Sequence, residues 1–265
     1  MRSDDKISSL FQRTLACDYD DDDAWEAVND LRSTGSREVF EWAARWLQSD
    51  NALERARAAD ILGQIGVGAG RPHAFPAESC NLLIELLHKE THSRAAASAI
   101  VALGHIEDPR ALPVIYKFVT HEDAVLRHAV AFALGCFVSD PVSHPGLMVL
   151  MGDDDEDVRD WATFSLGVWG DLDSARVRDA LARRLGDSFE NVRLEAIAGL
   201  AKRGDRRVLP VLIESLDDPD DPDSKLIEAA CALLAFVREP GGWTGQDYAN
   251  ALRQRFRDQV APIWQ

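Results

Sequence analysis

Apolar residues recur along this chain at helical spacing. In six stretches a Leu stands one residue before a small anchor residue: Leu62, Leu103, Leu134, Leu166, Leu200 and Leu234 precede Gly63, Gly104, Gly135, Gly167, Ala201 and Ala235. Five residues before the anchor stands an Ala in five copies (Ala58, Ala99, Ala162, Ala196, Ala230), with Val130 the exception. Residues four apart lie one above the other on a helix, so these pairs predict a core-facing stripe. Successive anchors are 41, 31, 32, 34 and 34 residues apart, and a near-constant period over six copies marks an internal repeat. The glycine anchors are expected to end each helix in a turn.

Second, more amphipathic helices are predicted between the copies, over residues 80–87, 110–119, 177–185 and 208–216. Pro113 and Pro210 fall near the starts of two of them, where a missing N–H is tolerated. No segment alternates with period two long enough to predict a strand. The unit is therefore helix, turn, helix. One such hairpin cannot bury its apolar face alone, so copies are expected to stack into a solenoid with a continuous core. Residues 1–37 are expected to form an N-terminal cap, with Ile7, Leu10, Phe11, Leu15, Trp25, Val28 and Leu31 as its apolar set. Residues 38–237 carry the repeats. Residues 238–265 are expected to form a capping helix with Tyr248, Leu252 and Phe256 on one face, the whole being one domain.

Two stretches, Leu185-Gly-Asp-Ser-Phe-Glu-Asn-Val-Arg-Leu-Glu-Ala-Ile-Ala-Gly-Leu and Met151-Gly-Asp-Asp-Asp-Glu-Asp-Val-Arg-Asp-Trp-Ala-Thr-Phe-Ser-Leu, carry a family pattern. It resembles the HEAT repeat in its short bacterial form, the PBS lyase HEAT-like repeat. The resemblance covers roughly residues 38–237. It implies an all-α, right-handed α-solenoid of about six hairpins. It also implies a binding scaffold and carries little chemistry. The chain is similar, too, to small HEAT-repeat proteins encoded beside bacterial Rhs-type toxins, which implies an immunity protein.

Charge narrows the partner. Against 29 Lys and Arg stand 45 Asp and Glu, a net charge of −16. A nucleic-acid backbone or an anionic membrane would be repelled, whereas a basic protein would be attracted. The same charge argues against the HEAT-like alkylpurine DNA glycosylases, which need a basic groove. The start lacks an apolar leader and no apolar run is long enough for a membrane helix, so a cytoplasmic chain is expected. Cys17, Cys80, Cys136 and Cys231 lie scattered and are expected to be reduced thiols.

Several residue patterns invite chemical readings. Arg55, Arg127, Arg159 and Arg193 share one repeat position, with Asp50, Asp123, Asp153 and Asp187 a few residues ahead, and are expected to form a structural ladder of ion pairs. Asp18, Asp20 and Asp22 have the opening spacing of an EF-hand loop. Asp23 stands where that loop needs Gly, and Asn29 where it needs Glu. A single His121-Glu122 pair cannot supply a di-iron centre of the HEAT-repeat hydroxylase kind. His88 and His92 are expected four apart on one helix, with Glu85 a turn earlier, but without a third convincing ligand. No cofactor is expected, nor any catalytic or metal residue.

Helix geometry selects the surface. Positions three, six and seven before the anchor point away from the stripe and are expected to line the concave face. They place Asp60, Phe132 and Phe164 at position three, Trp161 and Glu195 at position six, and His128, Asp160 and Glu228 at position seven. Aromatic anchors with a charged rim are what protein interfaces favour. The expected function is a non-catalytic scaffold, monomeric when free, that holds a basic protein on this face. The alternative is an enzyme or a cofactor-handling, lyase-like protein.

Overall fold

The computed structural model describes residues 3–16, 18–68, 70–218, 223–236 and 241–257. The described residues form fifteen α-helices, and strand-type pairing among them is limited to one isolated bridge between Gly68 and Arg71. The fold is all-α, of the solenoid class. It comprises two compact units, Met1–Gly146 and Leu147–Gln265.

The first unit holds α1 (Ser3–Arg13), α2 (Asp22–Thr34), α3 (Arg37–Trp46), α4 (Ala52–Gly63), α5 (Pro76–Leu87), α6 (Ser93–Ile106), the short α7 (Leu112–Ile115) and α8 (Ala124–Cys136). Helix α9 (His144–Leu150) runs into the second unit, which continues with α10 (Glu156–Phe164). A π-helical segment, Ser165–Trp169, extends α10 directly. Then follow α11 (Ala175–Arg184), α12 (Glu190–Lys202), α13 (Leu209–Leu216), α14 (Ser224–Leu234) and α15 (Gly245–Arg255). Side chains open many of these helices: Asp21, Ser36, Asn51, Asp123, Asp155, Ser174 and Asp223 accept from first-turn N–H groups. Pro113 and Pro210 sit in the first turns of α7 and α13, as their positions predict.

The predicted stripe is the core. All six Leu residues before the anchors are buried, and so are the five Ala residues and Val130. At the caps, Ile7, Phe11, Val28 and Leu31 are buried, and Tyr248 and Leu252 are buried on α15. The part of the predicted capping helix beyond Arg257 lies outside the described residues.

Gly63 ends α4 as expected, but the other glycine anchors do not end their helices. Gly104 lies two residues inside the end of α6, Gly135 one residue inside the end of α8, and Gly167 within the π-helical segment. Their smallness serves contact. A Cβ on Gly63 would stand 2.8 Å from the Ala102 Cα, and one on Gly104 would stand 2.8 Å from the Ala133 Cα. In the second unit a Cβ on Gly199 would stand 2.8 Å from the Gly167 Cα. Gly63, Gly104 and Gly167 thus each meet the residue two before the next anchor, backbone against backbone. This seam joins α4 to α6 and α6 to α8 in the first unit, and the π-helical segment to α12 in the second.

The arginine ladder closes the loops on the other side. Arg55 donates from Nη1 to the Ser49 carbonyl, and from Nε and Nη2 to both oxygens of Glu90 at 2.6 and 2.8 Å. Arg159 repeats the scheme with the Asp153 and Asp154 carbonyls and both oxygens of Asp187 at 3.0 and 2.9 Å. The carboxylate comes from the following repeat, and the preceding loop contributes only carbonyls. Arg127 and Arg193 grip their own loops in the same way. Burial works against the charge on Asp187, but the Arg159 fork and the Phe189 N–H hold its carboxyl below the ordinary range.

Gly104→Ala forces the Cβ against the Ala133 backbone and is expected to cost about 1–3 kcal/mol in denaturant unfolding. Gly186→Ala, whose Cβ meets nothing within 4 Å, serves as the control and is expected to change stability by less than ~0.5 kcal/mol. Equal effects at the two positions would contradict the close-approach account.

Candidate functional site

The residues expected to share one exposed face have different fates in the two units. In the first, Asp60 is buried beneath the N-terminal segment. The Tyr19 hydroxyl donates to Asp60 Oδ2 at 2.6 Å and lies 2.8 Å from the Ser98 hydroxyl, while Arg32 donates twice to the Asp60 carbonyl. Arg57 is wholly buried and reaches the Thr14 and Tyr19 carbonyls at 2.9 and 2.6 Å. Its guanidinium lies 4.1 Å from the Tyr19 ring centre and 5.0 Å from that of Trp25. Burial pushes the Asp60 carboxyl above its ordinary range, against the Tyr19 bond and the charges of Arg32 and Arg57. The expectation that Asp60 lies on an open face is therefore corrected: the capping segment covers it.

Farther along the first unit, His128 and Phe132 are half-buried, and the Phe132 ring stands edge-on to His105 at 5.0 Å. The connection between α4 and α5 is packed too: Gly66 donates to the Arg32 carbonyl at 2.7 Å and Ala74 to that of Ile65 at 2.9 Å. It covers the end of α2. His88 and His92 do not share a helix, contrary to expectation. His88 caps the end of α5 and His92 the start of α6. Among the described residues no group of three or more His, Cys, Asp or Glu side chains is placed to hold a metal ion. Burial raises the Cys80 and Cys136 thiols to about 11, which makes both poor nucleophiles.

The second unit brings the remaining predicted residues together, apart from Glu228, which lies exposed on α14. Trp161 and Phe164 are half-buried neighbours on α10, with ring centres 6.0 Å apart. Trp169 completes a triangle, 4.8 Å from Phe164 and 6.3 Å from Trp161, and is 46% exposed. The π-helical segment makes this possible, because its bonds bring residues five apart together; the Gly170 N–H donates to the Ser165 carbonyl at 2.8 Å.

Arg203, just past α12, pins the segment. It donates to the carbonyls of Leu166, Gly167, Gly170 and Leu172 at 2.7–3.0 Å, and Lys202 adds a bond to that of Val168 at 2.8 Å. Trp169 is thus presented by a rigid backbone.

Asp160, directly before Trp161 in the chain, interacts with a second acid and a base. The expectation that Glu195 lies on an open face is corrected as well: it is 4% exposed, because α14 brings Lys225 over it, and its Oε1 accepts from Lys225 Nζ. Glu195 Oε2 and Asp160 Oδ1 are buried without a hydrogen-bond partner among the described residues. Burial, and after it the charge of Glu195, raises the Asp160 carboxyl to about 6, with Lys225 opposing and Asp157 reinforcing. Trp169 and Lys225 escaped the sequence reading because they lie outside the three repeat positions chosen. A Trp two residues past an anchor is the signal that marked the first.

Stacked helical hairpins joined by a small-residue seam define a helical-repeat protein. The family model of HEAT repeats matches residues 80–167 and 144–235, and the chain belongs to that family. It is 30% identical over 210 residues to protein YibA of Escherichia coli, an alignment spanning 77% of this chain and 72% of that protein. The X-ray structure of Escherichia coli YibA aligns at TM-score 0.73 and 23% identity, covering 97% of this chain and 93% of that one. A crystal structure of an engineered protein aligns at TM-score 0.55 and 19% identity, covering 94% and 71%. These likenesses establish the fold.

The raised Asp160 carboxyl gives stability a pH dependence of known sign. Between the unfolded value of 3.8 and the folded value of about 6 the folded state holds the extra proton, so stability falls as pH rises through that window. Asp160→Asn mimics the protonated form. Its melting temperature is expected to exceed the parent's at neutral pH, with the gain shrinking as the pH is lowered towards the unfolded value. A gain independent of pH would contradict the assignment.

Proposed function

We propose that this chain is a non-catalytic protein-binding scaffold that holds a basic protein on the face carrying Trp161, Phe164, Trp169, Asp160 and Glu195. The observation that carries the reading is a half-exposed aromatic triangle whose Trp161 directly follows Asp160 in the chain, with Asp160 Oδ1 and Glu195 Oε2 lacking a partner among the described residues. Exposed aromatic rings on a rigid backbone supply contact area at small entropic cost, and desolvated charges fix the partner's identity. The net charge of −16 extends the same preference to long range and favours fast encounter with a cationic surface.

In its narrower form the partner is a basic, nucleic-acid-cleaving toxin, and the chain is the immunity protein that meets the toxin's substrate surface with carboxylates. What supports this form is the acidity of the chain, which favours a cationic partner and imitates the charge of a nucleic acid. The chain then acts inside the cell, as a monomer that pairs with the toxin.

Affinity capture from the native host, washed at low and at high salt, tests the reading when paired with Asp160→Lys. Charge reversal at Glu195 is avoided because that side chain is buried and bound to Lys225. A basic protein held at low salt and shed at high salt is expected, with retention falling more than about tenfold in Asp160→Lys. Retention indifferent to both salt and the substitution overturns the electrostatic reading. A bait that carries a chromophore or stoichiometric metal, and no protein, overturns the scaffold reading in favour of cofactor handling.

A further inference from the structure

One ammonium in the second unit faces more than one carboxylate. Lys225, at the start of α14, neutralises Glu195 of α12 through one carboxylate oxygen. Asp160 of α10 lies within electrostatic reach of both groups, so two acids share one ammonium. Glu195 is 4% exposed, and its second oxygen has no partner among the described residues, nor has the buried Oδ1 of Asp160. Buried acceptors are ordinarily satisfied, and those that are not call for an explanation. The Lys225 side chain is itself 40% exposed, so the cation that now serves the pair sits at the edge of the site.

The neighbouring rings restrict what completes the site. Trp161 follows Asp160 directly in the chain, and Phe164 and Trp169 extend the aromatic surface, with Trp169 open to solvent. A guanidinium is planar and weakly hydrated, stacks on aromatic faces and presents a fork of N–H donors to carboxylates. An ammonium is a compact, strongly hydrated charge that gains less from such a wall. We propose that Asp160 and Glu195, together with the Trp161–Phe164–Trp169 rings, form the anchoring subsite for one arginine side chain of the protein partner, and that Lys225 is the in-chain cation occupying part of that subsite when the partner is absent. This rests on the protein-binding reading and names its anchor.

The test uses the full chain and N-acetyl-L-arginine methylamide as the probe, titrated at neutral pH and low salt. Tryptophan fluorescence and the indole NMR signals report binding, and the lysine and citrulline analogues serve as controls. Saturable binding of the arginine probe is expected, at least about fivefold tighter than the lysine analogue, with none by the uncharged citrulline analogue. Asp160→Asn keeps the Lys225–Glu195 bond and is expected to weaken the probe by about tenfold. Lys225→Met removes the competing cation and is expected to tighten it severalfold. Should Lys225→Met fail to fold, the Asp160→Asn comparison carries the test.

Equal binding of the arginine and citrulline probes, or an Asp160→Asn variant that binds as the parent does, overturns the subsite. Equal binding of the lysine analogue overturns the choice of arginine. A chain that ignores the arginine probe yet captures a basic protein in a salt-dependent way loses the subsite and retains the scaffold reading. Failure of both removes both.

Discussion

Backbone contact between successive second helices is the constraint on which the rest of the structure depends. Where Gly104 faces Ala133 and Gly167 faces Gly199, there is no room for even one added carbon atom. Such an approach requires small residues on both sides and excludes large ones from the seam. Large side chains must then stand elsewhere on the same helices. The Leu positions before the anchors take the core, and the positions three and six before the anchors take the flank. The arginine ladder follows from the same geometry. Helices held this closely bring each inter-repeat loop within reach of the next, so one guanidinium can close its own loop and clasp the following carboxylate.

The two units use the flank differently. In the first, Tyr19 and the Thr14 carbonyl come from the capping segment and lie on Arg57, Asp60 and Ser98, so polar groups that would face water become an interior network. In the second, the equivalent positions carry Trp161, Phe164 and Glu195, and the five-residue π-helical segment turns Trp169 to join them. The local cost of that segment is met by Arg203, which satisfies four carbonyls around its end. A helix irregularity held by a dedicated side chain and ending on an exposed tryptophan is the arrangement expected of a built surface. The scaffold reading follows from that difference between the units.

Much of the fold was legible in the sequence because it depends on periodicity. The Leu and Ala stripe, the six second helices, the two prolines in first turns and the arginine ladder are all consequences of spacing that repeats. What spacing alone does not reveal is which neighbour a position meets. The glycine anchors looked like helix ends, since Gly there suits a turn; Gly63 is one, whereas Gly104, Gly135 and Gly167 are not. Their true partners, two residues before the next anchor, emerge only when helices are set side by side. Asp60 and Asp160 stand at comparable flank positions, but the capping segment buries one and leaves the other half-buried. Nor does the hydrophobic pattern announce a switch from α to π bonding, so Trp169 was missed beside Trp161 and Phe164, which were found. Lys225 lies in a loop-proximal turn outside the repeated stretch, and its pairing with Glu195 depends on tertiary structure.

The central claim is that the partner sits on the Trp161–Phe164–Trp169 face. A photo-crosslinking amino acid placed at position 169, and in a second variant at the exposed Arg183 on α11, tests it most directly in the native host. The account predicts a covalent adduct with one basic protein from position 169 and none from position 183. Adducts of equal yield from both positions, or an acidic partner at position 169, would contradict it.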